Sequence, residues 1–269
     1  MRWSYLLFLP ALVSIGWAVV TLLTKKRPTH AQMLFSFMLI LEGVAMMALA
    51  VFFRGKAGSL FIYHYTFELL AVLCGPMYYL TICSLVEPRG VTLSQRRVFF
   101  IPLTFILVLT ILAFVVGPLQ YERMCYLIRY GEMVSGEPPL EFLLFWSRWV
   151  FYLLLVGVNF VLLLMANRKI RLFQERFNAF YADDISAPKL HTTEVNVLTW
   201  IFLPLSLAVV LIIAMRPYMY KYYLIVLAVI IAVLQFFIGR VSYRLDYDAH
   251  YLARYISENK NTSSSTVSK

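Results

Sequence analysis

The chain has 269 residues, of which 61% are hydrophobic and only 14% are charged, and its formal net charge is +10. A soluble domain of this size is closer to half apolar, with about a quarter of its residues charged. This composition argues against a soluble domain, because only lipid accepts so much apolar surface. A segment in lipid must satisfy its own backbone hydrogen bonds, so we expect the apolar stretches to be helices.

Seven apolar stretches are each long enough to cross a bilayer, which takes about 20 helical residues. We therefore predict an all-α polytopic membrane protein, with a bundle of seven transmembrane helices in residues 1–240. The predicted spans are 4–23, 31–53, 60–85, 98–116, 142–166, 195–215 and 222–239. We expect the first span to be retained, because Lys25-Lys26-Arg27 follows it in place of a signal-peptide cleavage site. Gly75 and Pro76 predict a kink in the third span.

Lysine and arginine determine the predicted orientation. Most of the 24 basic residues lie in the loops after the first, third and fifth spans and in the C-terminal tail. The positive-inside rule then places the N-terminus outside and the tail in the cytoplasm, in a multi-pass protein of the cell inner membrane. Basic residues spread along the lipid surface explain the net charge better than nucleic-acid binding does, so we expect no nucleic-acid partner.

Two segments on the predicted cytoplasmic side have a helical pattern. After the fifth span, one apolar stripe is flanked by basic residues. It consists of Ile170, Phe173, Phe177 and Tyr181. This pattern favours an amphipathic helix on the inner leaflet, with a partner-binding helix as the alternative.

The tail carries a tyrosine at every fourth position. These residues are Tyr243, Tyr247, Tyr251 and Tyr255. On a helix they drift slowly around one face, so we predict a juxtamembrane cytoplasmic helix over 241–258. Such a helix either packs on the bundle or carries a signal from the seventh span. Residues 259–269 are rich in serine and threonine and are predicted to be disordered.

Four ionisable residues lie inside predicted spans. They are Glu42, His64, Glu68 and Arg148. A charge in lipid costs roughly 2.5–3.5 kcal/mol on insertion scales, so each of them calls for a reason. With the predicted orientation, all four lie in the outer half of the bilayer. His64 is one helical turn from Glu68 on the same face, and Tyr152 and Asn159 continue the face of Arg148.

These residues form the candidate ligand-binding site. The second and third spans are joined by a short loop, so we expect Glu42 to approach Glu68. Two close carboxylates in low dielectric do not both stay ionised cheaply, so one takes up a proton or finds a cation such as His64 or Arg148. The cluster is then a pocket open to the outside, or an internal cluster that only holds helices together. The remaining interpretation is unrelated positions, with Arg148 snorkelling to the interface.

Catalytic and cofactor chemistry has no signal in the sequence. No predicted span contains an aspartate, the four histidines have no metal-ligand spacing, and there is no Gly-rich phosphate loop. We therefore predict no enzymatic activity, no cofactor and no metal site.

Two stretches carry a family resemblance. One is Leu22-Leu23-Thr24-Lys25-Lys26-Arg27, and the other runs from Gly75-Pro76-Met77-Tyr78-Tyr79-Leu80 through Ser84-Leu85 to Phe99-Phe100-Ile101-Pro102. Over about residues 20–105 this order resembles the N-terminal seven-helix membrane region of AraC-type regulators of Bacteroidetes. The resemblance implies a membrane sensor that precedes a cytoplasmic helix-turn-helix domain. The chain ends about 30 residues after the last predicted span, so we expect the sensor half alone, without DNA binding.

The patterns favour a non-enzymatic inner-membrane sensor or signalling module that couples an external or intramembrane signal to the cytoplasmic side. The alternative is a small transporter that uses Glu42 and Glu68 for proton or cation coupling. A third hypothesis is a scaffold within the membrane. The expected partners are the lipid bilayer and either a cytoplasmic regulator or a second copy of the chain.

Overall fold

The computed structural model describes residues 2–54, 60–87, 91–116, 139–180, 200–201 and 221–244. All regular structure in these residues is helical, and none of them forms a strand. The all-α class is therefore confirmed for the described part of the chain.

The helices follow one another with short connections in the first part of the chain. In order they are a 3-10 turn at Arg2–Phe8, α1 at Leu9–Thr24, α2 at His30–Arg54, α3 at Leu60–Val86, α4 at Leu93–Arg96, a 3-10 turn at Arg97–Phe99, α5 at Phe100–Val116, α6 at Pro139–Phe180 and α7 at Lys221–Arg244. α3 continues through Pro76 without a break in its helical assignment.

Five stretches are long and apolar enough to cross a membrane. They are Tyr5–Thr24, His30–Val51, Leu93–Leu112, Trp149–Glu175 and Leu224–Val241. A shorter apolar stretch, Leu70–Val86, lies in α3. The predicted sixth span, 195–215, lies outside the described residues except for 200–201. These five stretches are consistent with a membrane protein. The count of seven spans and the orientation stay predictions.

Glycines allow α1 to approach both of its neighbours. A Cβ added at Gly43 of α2 would lie 2.5 Å from Ile15 Cγ1, and one added at Gly239 of α7 would lie 2.1 Å from Trp17 Cγ. The face that α1 buries carries small side chains. These are Ala11, Ser14, Ala18 and Thr21. Small residues at helix interfaces let backbones come close, which is how helices associate in lipid.

α3 packs on both α2 and α6, and the main core lies along these contacts. Phe35 of α2 meets Tyr78 of α3 edge to face, with ring centroids 6.2 Å apart. α5 packs on α6 and α3 but leaves a row of apolar side chains, such as Leu107 and Phe114, exposed. Exposed apolar side chains on a bundle of this composition are expected to face lipid.

α6 is one continuous helix of 42 residues. At 1.5 Å per residue it is about 63 Å long, roughly twice the hydrocarbon thickness of a bilayer. The basic amphipathic stretch after the fifth predicted span is the end of this helix, and Ile170 is buried in the core. The first position of the stripe therefore packs against protein. Tyr181 lies outside the described residues.

A polar cluster fixes α6 to the end of α3. The ammonium group of Lys169 forms an ion pair with Glu87. The other carboxylate oxygen of Glu87 accepts a hydrogen bond from the side chain of Gln95. Gln95 and Thr92 also form the capping box that begins α4. Hydrogen bonds and an ion pair between side chains therefore hold α6 and the turn before α5 to the end of α3, in addition to packing.

Candidate functional site: a buried carboxyl between α2, α3 and α7

Glu42 lies on the buried face of α2. Its side chain is 5% exposed, and its helical neighbours Leu39 and Met46, three and four positions away, are also buried. These neighbours share its face because residues at i−3 and i+4 lie side by side on a helix. The apolar pattern of α2 therefore directs this carboxyl into the bundle rather than toward lipid.

The hydrogen-bond donor to Glu42 comes from the last described helix. Gln235 of α7 is fully buried, and its Nε2 donates a hydrogen bond of 3.1 Å to Glu42 Oε1. Cys74 of α3 lies close enough to Glu42 to interact with it electrostatically. The thiol itself lies 3.2 Å from the carbonyl oxygen of Leu70, to which it donates. The site thus joins three helices around one carboxyl group.

Two acceptor oxygens of this pair are left over. Glu42 Oε2 and Gln235 Oε1 are buried and have no hydrogen-bond partner among the described residues. A buried acceptor without a donor costs about 1–3 kcal/mol. If Glu42 is protonated on Oε2, that oxygen becomes a hydrogen-bond donor. Gln235 Oε1 is then the one acceptor of the Glu42–Gln235 pair that still lacks a described partner. The arrangement is therefore suited to holding a proton or a small donor such as water.

The other predicted ionisable residues are described only by their backbone. His64, Glu68 and Arg148 lie in α3 and α6, but their side chains lie outside the described set. Their joint cluster with Glu42 stays a prediction. Glu68 precedes Cys74 by six residues, which is about 9 Å along α3.

The two predicted polar residues of α6 both point inward. Tyr152 is 2% exposed and meets Trp149 edge to face, with ring centroids 6.1 Å apart. Asn159 is 7% exposed and lies against Gly75 of α3, where an added Cβ would be 1.9 Å from Asn159 Oδ1. Gly75 thus permits a close approach of α3 and α6. The predicted bend at Pro76 stays a prediction.

Only the first tyrosine of the tail pattern is described. The carbonyl oxygen of Tyr243 accepts a hydrogen bond of 3.4 Å from Gln32 Nε2 of α2. Its ring lies 4.6 Å below the ammonium of Lys25. The end of α7 is therefore attached to α1 and α2. Tyr247, Tyr251 and Tyr255 lie outside the described residues, as do positions 245–258 of the predicted juxtamembrane helix and the predicted disordered tail, 259–269.

Gln235 was not among the predicted site residues, which were the ionisable groups inside the spans and the polar residues that continue the face of Arg148. The signal was present, since a glutamine inside an apolar span is itself a polar group that needs a partner. A glutamine at this position makes α7 a candidate neighbour of a buried carboxyl group. It does not by itself show whether that group belongs to Glu42 or to Glu68.

No protein-family model matches this chain, and no curated protein or solved structure matches it. The AraC-type sensor resemblance over about residues 20–105 therefore stays a prediction. A function has to be argued from the chemistry of the site, because a helical bundle alone hosts many functions.

Proposed function

We propose that the protein is a non-enzymatic membrane sensor or signalling module in which α7 carries a shift of the bundle to the tail. The observation that supports this most directly is the buried hydrogen bond from Gln235 to Glu42. It joins α7, the last described helix before the tail, to α2 inside the apolar part of the bundle. A signal that changes the protonation or hydrogen bonding of Glu42 acts on α7 through this bond.

Further contacts along α7 support the same proposal. One turn after Gln235, Gly239 lies against Trp17 of α1. One turn later, Tyr243 is held by Gln32 and Lys25. α7 is thus attached to α1 and α2 at three successive levels. A displacement of α1 or α2 is therefore expected to move α7 as well.

The coupling requires two states of the bundle in which the signal has different affinities. We place the protein in the cell inner membrane. With the orientation predicted from lysine and arginine, the Tyr243 end of α7 then faces the cytoplasm. The tail then presents its tyrosines to a cytoplasmic regulator or to a second copy of the chain. The AraC-type resemblance adds to this proposal, because in that family a membrane region of this kind is a sensor.

The test is a distance measurement between the ends of α1 and α7. Spin labels at Lys26 and Arg240, both exposed, are placed in full-length protein in lipid nanodiscs, with Cys125 replaced by serine. We expect Gln235→Leu to shift or broaden the distance distribution. Thr110→Val in α5, which removes a hydroxyl bonded to its own helix, is the matched control and should leave the distribution unchanged. An unchanged distribution in Gln235→Leu would contradict the proposed coupling.

A small transporter is the second candidate, and the two unpartnered oxygens of the Glu42–Gln235 pair favour it. A carboxyl that alternates between a protonated and an ionised form is a proton carrier, and Glu68 would be the second carboxylate of the path. Proton flux into proteoliposomes along an imposed pH gradient tests it. Flux that disappears in both Glu42→Gln and Glu68→Gln supports transport, and an absence of flux in the unmodified protein removes this candidate.

A further inference from the structure

An apolar groove lies between α5 and α6, away from the Glu42 site. Its volume is about 370 Å³, within the range of roughly 300–1,000 Å³ that is typical of small-molecule sites. Phe105 of α5 and Phe151 of α6 stack in its wall with ring centroids 5.7 Å apart. Val72 of α3 also lines the groove. It is open on one side, where side chains of α5 such as Ile101 and Val108 are exposed.

One end of this groove is basic. Phe100 and Ile101 line the groove, and Arg96 and Arg97 precede them by one turn. Four residues rise about 6–8 Å along a helical axis, so the side chains of Arg96 and Arg97 are within reach of this end of the groove. Both arginines are exposed, and neither forms an ion pair with a described residue. The capping box of Thr92 and Gln95 fixes the turn that carries them.

We propose that this groove binds one acyl chain of an anionic phospholipid, whose phosphate group is held by Arg96 and Arg97. The apolar walls match the chain, and the two positive charges at one end match the headgroup. Arginine guanidinium groups bind phosphate oxygens through paired hydrogen bonds. With the predicted orientation this end faces the cytoplasmic leaflet, where anionic lipids are found. The proposal is independent of the sensor function.

The charge pattern favours a lipid over other occupants. A helix of a second copy would bury the groove but would leave two arginines at its end without anions. A free phosphate ion would pair with the arginines but would leave the apolar walls unused. A basic residue near an anionic membrane contributes about 1 kcal/mol, which is about 5-fold in affinity for one arginine and about 30-fold for both.

Native mass spectrometry of the full-length protein tests the headgroup. Binding of phosphatidylglycerol is compared with that of phosphatidylcholine carrying the same acyl chains, and we expect the anionic lipid to bind more tightly. Arg96→Gln with Arg97→Gln should weaken phosphatidylglycerol binding about 30-fold. Lys26→Gln with Arg27→Gln makes the same change in charge after α1 and should weaken it less than 3-fold. An equal effect of the two double variants would overturn the proposal, because binding would then follow net charge alone.

A second pair of variants tests the groove itself. Val108→Phe fills the groove from α5, and Val115→Phe adds the same volume on an exposed part of α5 that does not line it. We expect only Val108→Phe to weaken phosphatidylglycerol binding. Glycerol phosphate without acyl chains should not displace the lipid at millimolar concentration. Equal binding by the two phenylalanine variants, or displacement by glycerol phosphate, would show that the chain does not occupy the groove.

Discussion

Gly239→Ala tests the contact between α1 and α7 on which the proposed coupling depends. The added carbon would lie 2.1 Å from Trp17 Cγ and 2.5 Å from Trp17 Cβ. Ordinary carbon contacts are about 3.5–4.0 Å, so the two atoms must move apart by about 1 Å or more. Rotation of the indole does not relieve the contact with Cβ. The ring is also packed against Phe236, with centroids 5.3 Å apart, so α1 and α7 must separate.

The size of the effect follows from two opposing terms. Overpacking a core costs about 1–3 kcal/mol, and we take the upper end because the clash reaches an atom attached to the backbone. Replacing glycine by alanine in a helix recovers about 1 kcal/mol. The net loss is then about 2 kcal/mol, which corresponds to a decrease in melting temperature of roughly 4–8 °C.

The assay is thermal unfolding of the full-length protein in nanodiscs of fixed lipid composition. Gly157→Ala in α6 is the matched control, because its added carbon meets no described atom within 4 Å. We expect this control to melt at the original temperature or slightly above it. Equal melting temperatures for Gly239→Ala and Gly157→Ala would mean that α1 and α7 are not in close contact at Gly239, and would refute the proposed attachment.

Three further predictions follow from the described side chains. Gln235→Leu leaves the buried carboxyl of Glu42 without its described donor, so we expect a loss of about 2 kcal/mol, partly recovered by adding Glu42→Gln and measured by the same melts. Gly75→Ala should destabilise the protein by about 1 kcal/mol alone but not in an Asn159→Ala background, where the added carbon has space; an additive double-mutant cycle would contradict the contact. Lys169→Met removes the ion pair at the end of α3 and should cost at most about 1 kcal/mol, with a melting temperature less sensitive to salt than that of the unmodified protein.

Hydropathy was enough to predict the helical class and to single out Glu42 as an ionisable group inside an apolar span. An apolar run in lipid has few alternatives to a helix, and a carboxyl in such a run avoids lipid by facing protein. The partner of Glu42 was beyond this reasoning, because Gln235 is 193 positions away in the sequence. Which helix packs next to α2 depends on how the whole bundle closes. In this bundle α7 packs against α1 and α2, with a close contact to α1 at Gly239. The sequence pattern alone does not predict which helices make such contacts.

The expectation that Glu42 approaches Glu68 assumed that depth in the membrane can be counted from the ends of two consecutive spans. Counting treats both helices as straight and parallel, and it ignores how far each extends beyond the membrane. Cys74 of α3 interacts electrostatically with Glu42, and Glu68, whose side chain lies outside the described set, precedes Cys74 by about 9 Å along the helix axis. The sensor proposal needs no direct contact between the two carboxyl groups, whereas a proton path through both of them requires either that contact or a relay between Glu68 and the Glu42–Gln235 pair.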